Sequence, residues 1–142
     1  MGKVSLDDPV NYWYRELSWV EFDRRVLSEA RDKSIPLLER LKFLSISASN
    51  LDEFFMIRVA SLKDMENAGV KKKDIAGMTP REQLRELSGA THELVNEQYD
   101  IYKKLTSELK KAGLTILKPG MFSMPSRRIL LTDSLRIMCI PF

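Results

Sequence analysis

Few side chains in these 142 residues have the type and spacing to do chemistry, and Asn50 is the first to weigh. It stands in "SASNLDEFFMIRVASL", where a run of small residues ends and two acids and two phenylalanines follow. Its carboxamide has two readings, the N-cap of a new helix or a directional contact to a ligand. The single histidine, His92, has no neighbour at metal-ligand or catalytic spacing and reads as a surface residue of a helix. The single cysteine, Cys139, permits no internal disulfide and no thiolate metal site. No Gly-rich phosphate loop occurs among the six scattered glycines. The acid pairs Asp52/Glu53 and Asp7/Asp8 read as helix-start and near-terminal charges, and Lys71, Lys72 and Lys73 as solvated loop charges. The aromatic group Tyr12, Trp13, Tyr14 and Trp19 either packs an N-terminal arm onto the domain or stacks on a base.

The elements that must position these residues are helices with explicit punctuation. "LSWVEF" predicts a start with Ser18 as cap, Glu21 completing a capping box, and Leu17 and Phe22 as a staple. Trp19, Phe22, Val26 and Ala30 then mark the buried face of a first helix running to about Asp32. A second helix opens at Pro36, with Leu37, Leu41, Leu44 and Ala48 as its stripe, and weakens through "SISAS". A third begins with Asn50 as N-cap and Glu53 at N3. It buries Leu51, Phe55, Val59 and Leu62, with Phe54 and Ile57 widening that face, and ends at Gly69. "TPREQ" is the clearest start, with Thr79 as cap, Pro80 at N1 and Glu82 at N3. From there Leu84, Leu87, Thr91, Leu94, Gln98, Ile101 and Leu105 step by three and four to a stop at Gly113, with Val95, Tyr102 and Leu109 as a flank. That helix, about 79–112, is roughly 50 Å long and must pack on the shorter ones. The fold class is therefore all-α, an antiparallel helical bundle with one long C-terminal helix followed by an extended, irregular tail.

Composition narrows the function classes. At 44% hydrophobic and 30% charged, the chain is that of a globular protein, and its net charge of +3 is too small and scattered for nucleic acid. No run reaches the roughly 20 apolar residues of a membrane helix. The lone cysteine and the absence of a signal-like apolar segment predict a cytoplasmic setting.

Beyond helix grammar, "ELSW" followed by F-x-x-RVL-x-EA, then P-L-x-ER-x-x-FL and SNLDEFF-x-x-R, resembles the N-terminal domain of bacterial polyphosphate kinase. The match runs from Glu16 to Arg58 and continues more weakly to about Pro119. The resemblance implies a domain over 15–118 preceded by an arm over 1–14. It also implies an enzyme that reversibly moves the terminal phosphate of ATP onto inorganic polyphosphate. The phosphohistidine, the phosphate-gripping arginines and the Mg2+ ligands would lie in domains outside this chain. His92 is not that histidine, no catalytic or metal-binding residue is expected here, and the 142 residues alone are expected to be inactive. The same resemblance implies homo-oligomer assembly and a location that is cytoplasmic or peripheral to the inner membrane. It assigns one ATP contact to this domain, the asparagine of "NLDEF", which is Asn50. Arg58, two turns on, either faces the same cleft or pairs with an acid such as Asp52. The alternative is a helical interaction module using the Leu84–Leu105 stripe as its seam. Residues 119–142, with Met121, Met124, Met138, Arg127 and Arg128, depart from the family and read as a truncated or frame-shifted end.

Overall fold

A computed structural model describes residues 8–116. The expected tail over 119–142, Cys139, Asp7 and the start of the N-terminal arm lie outside the described residues. After a short 3-10 turn at Pro9–Asn11 come α1 (Arg15–Glu29), α2 (Leu37–Phe54), a π-helical turn (Phe55–Val59), α3 (Ala60–Asn67) and α4 (Pro80–Lys111). The second helix, the π turn and the third form one rod without a break, so three rods make the bundle. No strand occurs among the described residues.

Side-chain pairs fix the direction of each rod. Between α1 and the second rod, Ala30 meets Arg40, Asp23 meets Ser47 and Asn50, and Glu16 meets Arg58. Between α2 and α4, Arg40 meets Glu108 and Ser47 meets Gln98. Numbers that rise on one side as they fall on the other make both pairings antiparallel, so α1 and α4 run parallel. Arg40 fastens the closed end: it is 6% exposed, its Nε donates to the Ala30 carbonyl at 3.0 Å, and its Nη1 donates to Glu108 at 2.7 Å. That Ala30 carbonyl belongs to the C-cap of α1, one of the groups a helix end leaves without an internal partner. On the surface, Arg24 pairs with Glu21, Glu93 and Glu97, and Arg31 also pairs with Glu97, which laces α1 to α4.

Of the four start signals, those at Ser18 and Asn50 fail, while Pro36, directly before α2, and Thr79 hold. Ser18 does not cap: α1 begins at Arg15, and the Ser18 hydroxyl donates back to the Tyr14 carbonyl at 3.3 Å inside the helix. The staple fails with it, because Phe22 is 48% exposed. Asn50 does not cap either, since α2 passes straight through it. The serines of "SISAS" do not break the helix, because Ser47 gives its hydroxyl to Asp23 instead of competing for local backbone groups. Thr79 does cap: Glu82 N–H donates to its Oγ1, and Thr79 N–H donates to the Glu82 carboxylate at 2.8 Å. The stops at Gly69 and Gly113 also hold. Each has φ near +70 to +80°, at 71° and 82°. The residue after each glycine donates back across the turn, Val70 to Met65 and Leu114 to Leu109. This is the glycine-terminated closure that satisfies the last carbonyls.

Ala30 and Leu44 are buried as expected, but the buried faces of α1 and α2 otherwise lie one residue off the apolar stripes expected of them. The core side of α1 is Glu16, Val20, Asp23 and Leu27, and that of α2 is Arg40, Leu44, Ser47, Leu51 and Phe54. On α4 the expected stripe is buried at Leu87, Thr91, Leu94, Ile101 and Leu105. Those leucines are enclosed by the other two rods, so they offer no free seam to a partner.

Two predictions follow from the ends of α4. Thr79→Ala should lower unfolding free energy by about 1 kcal/mol, read from denaturant midpoints at constant slope. Hydrogen bonds from Thr79 and from Arg40 hold the Glu82 and Glu108 carboxyls below the ordinary glutamate value of 4.5. A depressed folded value gives stability that is present above 4.5 and lost as pH falls through the folded value. The double variant Glu82→Gln/Glu108→Gln should therefore show a flatter loss of stability below that pH than the parent, in urea titrations across the acid range.

Candidate functional site

A cleft of about 420 Å³ opens between α1 and the second rod, at the end opposite Arg40. Arg15, Glu16, Trp19 and Phe22 line it from α1; Asn50, Glu53 and Phe54 from α2; Ile57 and Arg58 from the π turn. Its aromatic wall is rigid, because Trp19 and Phe54 stack face to face with centroids 4.0 Å apart and planes 7° apart. Phe54 is buried, while Trp19 keeps part of its surface open. Phe55 meets Phe54 edge-on at 6.3 Å.

The polar side of the cleft rests on Glu16, which is 7% exposed. It accepts from Arg15 at 2.7 Å and from Arg58 at 3.0 Å. Arg58 thus does both things expected as alternatives: it lines the cleft and pairs with an acid, though the acid is Glu16 and not Asp52. The π turn carries it there. An i→i+5 turn is wider than an α turn and shifts the phase of every side chain after it.

Beneath the cleft a chain of hydrogen bonds crosses all three rods. Gln98 Nε2 donates to Ser47 Oγ at 2.9 Å, Ser47 donates to Asp23 Oδ2 at 2.8 Å, and Asn50 Nδ2 donates to Asp23 Oδ1 at 3.0 Å. Asp23 and Ser47 are fully buried. Burial pushes the Asp23 carboxyl above its ordinary value, and the hydrogen bonds from Asn50 and Ser47 oppose that rise by favouring the charged form.

The structure brings Asn50, Arg58, Trp19 and Glu53 to one place and leaves the other candidates elsewhere. His92 is exposed, with Nδ1 against the Ser88 carbonyl at 2.6 Å. Lys71, Lys72 and Lys73 are exposed in the loop before α4. Trp13 is 73% exposed, whereas Tyr14 is buried in the core. Among the described residues, no group of three or more His, Cys, Asp or Glu side chains is placed to hold a metal ion. No described helix is long and apolar enough to cross a membrane.

Sequence reasoning missed Arg15, Glu16 and Asp23. A signal for two of them exists: Glu16 and Asp23 are seven residues apart, as are Arg40 and Ser47, and Thr91 and Gln98. Polar residues repeating every two turns on a core-facing line mark buried polar layers.

Residues 12–117 match the family described as the polyphosphate kinase N-terminal domain. The polyphosphate kinase of Halalkalibacterium halodurans is 55% identical over 116 residues, covering 80% of this chain and 16% of that protein. That of Bacillus anthracis is 54% identical over 101 residues, 70% of this chain and 14% of the relative. That of Staphylococcus haemolyticus is 45% identical over 126 residues, 88% of this chain and 18% of the relative. The chain thus spans less than a fifth of the length of these relatives. No solved structure matches it.

The buried relay makes a stability prediction. Ser47→Ala removes one donor from Asp23 and the acceptor of Gln98, and should cost about 1–3 kcal/mol in chemical denaturation. A loss near zero would mean that water replaces the serine hydroxyl.

Proposed function

Because the chain belongs to the polyphosphate kinase N-terminal domain family, we propose that it holds the adenine of ATP in the cleft between α1 and the second rod. Asn50 is the residue that recognises the base. The observation that carries this reading is the joint presence, in one cleft, of a partly open indole stacked on Phe54 and a carboxamide with hydrogen-bonding capacity left over. A purine has a flat apolar face and a polar edge, and the cleft supplies one surface for each. The Asn50 oxygen accepts from an exocyclic amino group, and its remaining N–H donates to a ring nitrogen.

In this reading, transfer of the terminal phosphate to polyphosphate occurs on parts of the longer enzyme. The phosphohistidine and the Mg2+ ligands belong to those parts, and ATP, ADP and polyphosphate are the enzyme's substrates. The 142-residue chain binds nucleotide weakly and does not catalyse. The enzyme works as a homo-oligomer in the cytoplasm. A second reading, a helical interaction module, draws on the π turn, where Phe55, Met56 and Ile57 are 44%, 71% and 57% exposed.

The test replaces the matching segment of the Halalkalibacterium halodurans enzyme with residues 12–117 of this chain. Asn50→Ala in that chimaera should raise KM for ATP about tenfold, the equivalent of about 1.4 kcal/mol of lost hydrogen bonding. The apparent affinity for polyphosphate should stay the same. An unchanged KM for ATP would remove Asn50 from nucleotide recognition and favour the second reading.

A further inference from the structure

We propose that Asp23 is a positioning residue that fixes which end of the Asn50 carboxamide faces the cleft, and so selects adenine over guanine. This inference rests on the reading of the cleft as a nucleotide site and adds to it the source of base specificity.

The Gln98 amide nitrogen is a donor only, so Ser47 Oγ accepts from it and directs its own proton to Asp23 Oδ2. The carboxylate has acceptors alone, and its other oxygen, Oδ1, takes a proton from Asn50 Nδ2. With Asp23 ionised, the form that both donated hydrogen bonds favour, each link has one permitted direction. Asn50 cannot exchange its two ends, because that would set its carbonyl oxygen 3.0 Å from a buried carboxylate oxygen, acceptor against acceptor.

With one amide proton held by Asp23, Asn50 presents its carbonyl oxygen and one N–H to the cleft. Adenine carries an amino donor beside the N7 acceptor, which fits that pair. Guanine carries two acceptors, O6 and N7, at the same positions and leaves the Asn50 oxygen facing another oxygen. A freely turning asparagine would offer its NH₂ group to guanine. Asn50 is prevented from doing so by a residue that the base never touches.

Asp23→Asn is nearly isosteric and reverses this logic. The new side chain keeps an oxygen for Ser47 and turns an NH₂ toward Asn50, which must then face it with its carbonyl. The Asn50 NH₂ group moves to the cleft side and offers two donors to guanine. The experiment is an NMR titration of the 142-residue protein with ATP and with GTP, following backbone amides along the cleft and the two side-chain amide protons of Asn50. In the parent, ATP should bind more tightly than GTP. One Asn50 amide proton, held by Asp23, should be protected from solvent exchange, and the other should shift as ATP is added. In Asp23→Asn the ratio of GTP to ATP dissociation constants should fall by at least about tenfold.

Equal weakening toward both nucleotides in Asp23→Asn would reduce Asp23 to a structural role and overturn the proposal. If that variant does not fold, the parent decides alone, since two equally exchanging and equally shifting Asn50 protons would also overturn it. Absence of any ATP-induced shift at Asn50 or Trp19 would instead remove the nucleotide site itself, a separate failure. Exchange protection of one Asn50 proton by Asp23 would then still be measurable.

Discussion

The bundle is organised around a carboxylate with no exposure to water. Removing a charge like that of Asp23 from solvent costs several kcal/mol unless hydrogen bonds replace hydration. The replacements come from Ser47 and Asn50, both on α2, and Gln98 on α4 holds Ser47 in place. A shift of α2 by one residue against α1 would bury the carboxylate without those donors, so the relay fixes the register of the two helices. Apolar packing tolerates sliding more easily, because one leucine contact resembles the next. The same register brings Arg40 to the end of α1 and Arg58 to Glu16, one at each end of the shared interface.

The continuity of the second rod follows from that constraint. Ser45, Ser47 and Ser49 weaken an isolated helix, but here Ser47 commits its hydroxyl to the relay with Asp23 of α1. After Phe54 the rod changes to a π turn in which no residue is buried. Phe55, Met56 and Ile57 face outward there, while Phe54 and Leu62 on either side stay in the core. The wide turn thus returns the helix to the core at Leu62 after placing Arg58 and Ile57 along the cleft.

Much of the fold was legible in the sequence. The all-α class, the limits of α4, its capping box and both glycine stops rest on local chemistry that one short stretch contains. The register of the core faces on α1 and α2 was not. Apolar periodicity pointed to Trp19, Phe22 and Val26, whereas the line that is buried runs through Glu16, Val20, Asp23 and Leu27, two of which are acids. The seven-residue spacing of Glu16 and Asp23 is the trace that α1 carries of an inward aspartate, and it does not point to the partners, which lie 24 and 27 residues away. Gln98, a polar member of the stripe read on α4, is one end of the relay. Asn50 was marked by its residue type and by its place in the family's motif. Of its two readings the helix cap fails, since its amide serves a tertiary contact inside an unbroken helix.

That correction changes what kind of site this is. A cap residue sits where a helix frays, and a ligand contact there shares the motion of the chain end. Asn50 instead projects from the interior of a long rod. Its amide is held by the buried Asp23 carboxylate of α1, which also accepts from Ser47, and Ser47 is in turn held by Gln98 of α4. On the proposed nucleotide reading, a group supported in this way loses little freedom when a base arrives, so most of its hydrogen-bond energy is available for discrimination. The aromatic wall has the same character, with Trp19 already stacked on buried Phe54. Asn50, Trp19 and Phe54 come from α1 and α2, with Gln98 of α4 supporting the relay, so this surface forms with the bundle itself. On the proposed reading, the pocket for the base would not depend on the parts of a longer enzyme that carry phosphoryl chemistry.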